Sequence, residues 1–154
     1  MTRWRTSPTR LAAADDARAI AEVFFASFRL LTFLPMLHTA EEDQHFIENV
    51  ILRESVVTVA ESEAGIVSFL ARQEEEIRLL YTRPDFIGTG AGSLLLAAAK
   101  RSGVAALELW CFQANTGARR FYEARGFRAG ALHRRAGQRG EDAGCPLSLG
   151  AWSG

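Results

Sequence analysis

The stretch that most constrains this chain is Gly88-Thr89-Gly90-Ala91-Gly92-Ser93, set between an apolar run from Ile77 to Tyr81 and the alanine- and leucine-rich run Leu94 to Lys100. That pattern predicts a strand, a glycine turn and a helix. Alternating glycines let the backbone turn, and approach a ligand, without steric cost. The helix opening there points unpaired N–H groups and the positive end of its dipole into the same space. Taken alone, such a turn is either an anion site, with phosphate as the usual anion, or a tight connection that binds nothing. It is not a P-loop, because Gly92 is followed by Ser93-Leu94 with no lysine. A dinucleotide fingerprint fits no better, since the spacing is G-x-G-x-G and two predicted strands come first.

A chain of 154 residues is one domain's worth, long enough for a substantial core. With 18 basic and 18 acidic side chains, nothing pulls it as a whole toward nucleic acid or a membrane. Acids cluster at Glu41-Glu42-Asp43 and Glu74-Glu75-Glu76, and arginines gather later, at Arg119, Arg120, Arg125, Arg128, Arg134, Arg135 and Arg139. Both read first as solvated surface, and the basic half also suits a ligand rich in phosphate. Cys111 and Cys145 stand in no metal or redox spacing, and neither His38 nor His45 pairs with a nearby ligand, so no metal is expected. The apolar stretch Val23 to Leu37 is broken by Arg29 and Pro35, and no leader pattern opens the chain. A soluble, cytoplasmic protein is the expectation.

Read in order, a short first strand is predicted at Arg3 to Thr6 and a helix from Asp15 to about Leu31, with Ile20, Val23, Phe24, Phe28 and Leu31 at helical spacing. Phe33 to His38 is a loop. Thr39 and Glu42 have the spacing of a capping box for a second helix, Ala40 to about Leu52. Val56 to Ala60 and Ile66 to Ala71 form a hairpin about Ser62 to Gly65, and Ile77 to Thr82 is the strand that delivers the glycine turn. A helix from Ala91 to about Arg101 ends at Gly103, and Val104 to Phe112 is a further strand. Asn115 caps the next helix, on which Ala118, Phe121, Tyr122 and Arg125 share a face. Phe127 to His133 and Pro146 to Trp152 are two closing strands. The expected architecture is α/β (α+β): a single domain, residues 1–154, with a mixed, mostly antiparallel sheet flanked by helices.

Two segments together carry more than either alone. Gly90 and Gly92 match Gln/Arg-x-x-Gly-x-Gly/Ala, and Asn115, Ala118, Phe121, Tyr122, Gly126 and Phe127 match Asn-x-x-Ala-x-x-Phe-Tyr-x-x-x-Gly-Phe. In this order the pair resembles the GNAT family of acyl-CoA-dependent N-acetyltransferases. The resemblance is strong over the second half of the chain and rests on element order in the first. It implies transfer of an acetyl group from acetyl-CoA, as cosubstrate, to a primary amine. The pyrophosphate is then expected on the backbone of Gly88, Thr89, Gly90, Ala91, Gly92 and Ser93. The pantetheine arm is expected along the main chain of Leu80, Tyr81 and Thr82, with further contacts at Asn115, Ala118 and Phe121. Tyr122 is the expected general acid, since a phenol with a reference pKa of about 10 is protonated at neutral pH. Glu75 and Glu76 sit just before the delivering strand, where the family often places a carboxylate acting directly or through water. They read either as a charged hairpin turn or as the source of the base, with Glu76 the choice of the two.

One departure stands out. The polar Gln or Arg that begins the family's turn is Ile87 here, which removes a side-chain anchor. The loop Ala136 to Cys145 gives the acceptor no recognisable character. A CoA-binding sensor or partner domain without efficient catalysis is the alternative, and a monomer or a homodimer fits the pattern equally.

Overall fold

The computed structural model describes residues 4–28, 39–112, 114–133 and 147–153. The predicted loop at Phe33 to His38 and the loop Ala136 to Cys145 lie outside the described residues. Seven strands form one sheet in the order β1-β2-β3-β4-β5-β7-β6. They are β1 (Trp4–Leu11), β2 (Val56–Ser62), β3 (Gly65–Gln73), β4 (Glu76–Thr82), β5 (Ala106–Phe112), β6 (Arg128–His133) and β7 (Leu147–Ser153). The first strand is longer than predicted, and β4 begins one residue early at Glu76. Every neighbouring pair is antiparallel except β4 and β5. Strand β7 follows β6 in the chain but lies inside the sheet, between β5 and β6.

Helices cover both faces. Helix α1 (Ala17–Phe28) and α2 (Ala40–Phe46) lie on one side, and α2 runs on through a π turn, Ile47–Ile51, into the short α3 (Leu52–Glu54). Helix α4 (Ala91–Lys100) lies on the other side, and α5 (Thr116–Glu123) connects β5 to β6. Thr39 and Glu42 make the predicted capping box, with Glu42 N–H donating to Thr39 Oγ1 at 3.2 Å and Thr39 N–H to Glu42 Oε1 at 2.8 Å.

Two apolar clusters follow from the alternation of β3. Phe69 and Ala71 point into the α1/α2 side, with Ile20, Phe24, Ile47 and Ile51, while Leu70 joins Leu95, Leu96, Leu107, Leu109 and Phe127 on the α4 side. Residues Ile66 to Ala71 are all buried, as a central strand covered on both faces requires.

Arg10 fixes the entry to α1. Its guanidinium donates to Asp16 at 2.8 and 3.1 Å and to Glu61 at 3.1 and 3.3 Å, joining β1, β2 and the turn before the helix. Hydrogen bonds from Arg10, aided by Ala13 N–H, hold the Asp16 carboxyl below the usual carboxylate range despite the opposing effect of burial. A carboxylate whose folded value is depressed stabilises the fold fully above its unfolded value, about 3.9. That contribution is lost as pH falls through the folded value. Asp16→Asn is therefore expected to lower stability at pH 7 by about 1 kcal/mol, the partly exposed Arg10 keeping the figure small. The gap to the parent should close as pH drops below 4, which urea unfolding across pH 3 to 7 measures.

Candidate active site

Three local devices shape the centre of the molecule. The first is a bulge in β4. Ala71 pairs with Leu79 and Arg72 with Ile77, so Arg78 is an extra residue in the ladder. Its guanidinium turns toward the end of α3, donating to Ser55 Oγ at 3.2 Å and lying 3.5 Å from Glu54. Bulges bend and re-aim a strand, and they recur beside active sites.

The second device is the splay between β4 and β5. Their parallel ladder consists of Glu76↔Glu108 and Ile77↔Leu109 and then stops. Beyond it the strands part around a cleft of about 100 Å³. One wall is Ile77 to Tyr81, the other Leu109 to Phe112, and α5 adds Asn115, Ala118 and Tyr122. The open edge of β4 offers an extended ligand main-chain partners of the kind a missing strand would supply.

The third device is the glycine turn at the end of β4. Pro84–Phe86 forms a single 3-10 turn, Thr89 Oγ1 closes on Phe86 O at 2.6 Å, and Gly90 caps α4 with φ of 94°. A left-handed residue there needs glycine. Leu94 N–H is the first to find a partner within the helix, Gly90 O at 3.0 Å. Among the described residues the N–H groups of Ala91, Gly92 and Ser93 have no hydrogen-bond partner, as a helix start leaves its first donors. Gly92 serves a different need: a Cβ there would stand 3.1 Å from Phe121 Cζ, so its hydrogen lets α5 close onto α4.

Leu80, Tyr81, Asn115, Ala118 and Tyr122 line the cleft together. Phe121 packs its ring against Gly92 rather than into that cleft. Thr82 is not part of the lining, and its carbonyl already accepts from Ser27 Oγ at 2.7 Å, while the Tyr81 carbonyl accepts from Ser68 Oγ at 2.7 Å. Of the three main-chain stations expected for the ligand, Leu80 is the one these serines leave untouched. Asn115 caps α5 as expected, its Oδ1 accepting from Ala118 N–H at 3.2 Å. Glu76 stands in the closed ladder, outside the residues that line the cleft. Alternation from Ile77, which joins the α4-side cluster, turns Glu76 toward the α1/α2 side. Ile87 is 61% exposed.

The cleft's lining also includes Arg78, Leu79, Trp110 and Phe112, which the sequence reading did not single out, and Cys111, which it gave no metal or redox role. Two signals were available. The consecutive Leu79-Leu80 breaks strict alternation, as a bulge requires, and Trp110 and Phe112 alternate with Cys111 along β5. Electrostatics separates the two ionisable groups on the cleft's far wall. Burial, reinforced by the neighbouring Cys111 and Tyr81, pushes the Tyr122 phenol above its ordinary value. Burial likewise raises the Cys111 thiol to about 11, against the attraction of Arg119. Both keep their protons at neutral pH, so Tyr122 is a donor and Cys111 is a poor nucleophile. No group of His, Cys, Asp and Glu among the described residues is arranged to hold a metal, and no described helix is long and apolar enough to cross a membrane.

A family model described as an acetyltransferase (GNAT) domain matches residues 53–129, half of the chain. No curated protein matches it by sequence. Among solved structures it is similar to apo-form YjaB from Escherichia coli, with a TM-score of 0.74 and 22% identity over 95% of this chain and 97% of that one. It is also similar to a GCN5-related N-acetyltransferase from Rhodopseudomonas palustris, with a TM-score of 0.70 and 20% identity over 99% of both chains. A third is yncA from Salmonella typhimurium, solved with its cofactor acetyl-CoA, with a TM-score of 0.68 and 18% identity over 94% and 92% of the two chains. At such identities these likenesses establish the fold.

Proposed function

The chain belongs to the GNAT family of acetyltransferases, and on that premise we propose that it moves the acetyl group of acetyl-CoA directly to a primary amine of a small molecule or peptide. The observation that carries this reading is the splay of β4 from β5 with Tyr122 on its wall, together with the glycine turn that follows β4 and opens α4 beside Thr82 and Phe121. The N–H groups of Ala91, Gly92 and Ser93, with the backbone of Gly88, Thr89 and Gly90, suit a pyrophosphate. The pantetheine arm would lie along Leu80, Tyr81 and Thr82, with Asn115, Ala118 and Phe121 bordering it. Because the Thr82 and Tyr81 carbonyls are engaged by serines, the main chain at Leu80 and the strand's N–H groups carry that pairing.

In the transfer, the amine nitrogen bonds to the thioester carbonyl carbon and the carbon–sulfur bond breaks. A β4 N–H is the donor to the carbonyl oxygen, and a donor of this kind is commonly worth roughly 3–4 kcal/mol. Tyr122 gives its proton to the departing sulfur. Glu76 takes the proton that the amine gives up, through water, from the α1/α2 side of the sheet. Cys111 keeps its proton, so the transfer runs without an acyl-enzyme.

Thermal unfolding with acetyl-CoA tests the reading. At about 100 times its dissociation constant the ligand stabilises by roughly 2.7 kcal/mol, a rise in Tm of about 5–10 °C for a domain of this size. No rise at millimolar acetyl-CoA overturns the proposal. A rise without amine-dependent thiol release identifies a sensor instead of an enzyme.

A further inference from the structure

We propose that Arg125 supplies, through Ser93, the positive charge that Ile87 leaves out of the anion-binding turn. This rests on the acetyl-CoA reading above and adds to it a residue from the turn after α5. Arg125 follows the end of α5, one turn beyond Phe121. Its Nη1 donates to Phe121 O at 2.9 Å, and its guanidinium stacks over the Phe121 ring, 3.9 Å from the centroid. The same ring fills the space above Gly92. The remaining arms converge on one atom: Nε at 2.9 Å and Nη2 at 2.5 Å both donate to Ser93 Oγ.

A serine hydroxyl has two acceptor lone pairs and one proton to give. Arg125 occupies both lone pairs, so the Ser93 proton must be donated elsewhere. No acceptor for it is found among the described residues. Ser93 is the third residue of α4, where its own N–H and those of Ala91 and Gly92 have no partner among the described residues. The hydroxyl is thus polarised by a guanidinium behind it and left with a proton to offer beside three backbone donors.

The charge itself is uncommitted. Arg83, the other arginine near the turn, is held bidentate by Asp85 at 2.8 and 2.7 Å and lies over Phe86, so its charge is already balanced. Lys100 is turned away, donating to Arg125 O at 2.6 Å and lying over Trp152. Arg125 meets no carboxylate among the described residues. A cation one hydrogen bond behind a helix N-terminus, without a counter-ion, is complementary to a dianionic pyrophosphate.

The test is the dissociation constant for acetyl-CoA at low and high NaCl, for the parent, Arg125→Met, Arg125→Lys and Ser93→Ala. Methionine keeps the length and the contact with the Phe121 ring and removes the charge. At low salt Arg125→Met should weaken binding about 10- to 100-fold, as loss of a charge-assisted contact implies. Its affinity should also depend less on salt than the parent's, because the screened charge is gone. Arg125→Lys should recover the salt dependence. Ser93→Ala leaves α5 untouched, should weaken binding in the same direction, and serves if Arg125→Met does not fold. If Arg125→Met binds as the parent does, or binds more weakly with the parent's full salt dependence, Arg125 is a structural strut and the proposal is overturned. Failure of the parent to bind acetyl-CoA overturns the acetyltransferase reading itself, a distinct result.

Discussion

Tyr122→Phe should lower kcat for acetyl transfer by roughly 10²- to 10⁴-fold, the range associated with a positioned general acid, with little change in acetyl-CoA affinity or Tm. The substitution removes one oxygen and nothing else of consequence. The Tyr122 ring packs at 5.3 Å from Phe121 and 5.5 Å from Phe127, both edge-on, and a phenylalanine keeps both contacts. Its hydroxyl has no hydrogen-bond partner among the described residues, so none is broken by the change. Because burial raises the phenol's pKa, the acid remains loaded through neutral and mildly alkaline pH. The parent's rate should therefore rise with pH as the amine deprotonates, without an early alkaline fall. Steady-state kinetics of thiol release checks both statements. A Tyr122→Phe enzyme with the parent's kcat would place the acid elsewhere.

Phe24→Ala should be the most damaging single change to stability, at about 3–5 kcal/mol. Phe24 is fully buried on α1 and is the hub of an aromatic cluster, 6.1 Å from Phe46, 6.4 Å from Phe69 and 5.2 Å from Tyr81. Removing it leaves a cavity between α1, α2 and the strands beneath. For a domain of this length the expected fall in Tm is roughly 10–15 °C, read by calorimetry. The loss should extend to function, because Tyr81, at the wall of the cleft, loses one of the rings packed against it. Phe24→Leu, which keeps most of the volume, should fall well short of that.

Much of this was legible in the sequence because it is local. The capping box at Thr39 and Glu42 and the Asn115 cap are decided within a few residues, and each appears where the sequence places it. The order of strands and helices follows from periodicity, which local chemistry also sets. What was not legible depends on partners distant in sequence. The splay after Ile77 and Leu109 is a property of two strands about thirty residues apart. The engagement of the Thr82 carbonyl by Ser27 joins α1 to β4, across more than fifty residues. Arg125 reads in the sequence as one more surface arginine, and only the packing of α5 on α4 reveals what it reaches. The bulge at Arg78 is the intermediate case, signalled by Leu79-Leu80 but fixed by the register with β3.

The place of β7 imposes a schedule on assembly. Its two neighbours, β5 and β6, both precede it in the chain, and each gains its pairing on that side only when β7 slides between them. Helix α5, with Tyr122 and Arg125 at its end, hangs from those same two strands. A nascent chain that has made everything up to β6 has α5 held on α4 by Phe121 and Arg125 but lacks the strand that joins β5 to β6. Closing of β7 between β5 and β6 is therefore expected to fix the two strands that flank α5, and a chain lacking β7 should show little of the parent's activity.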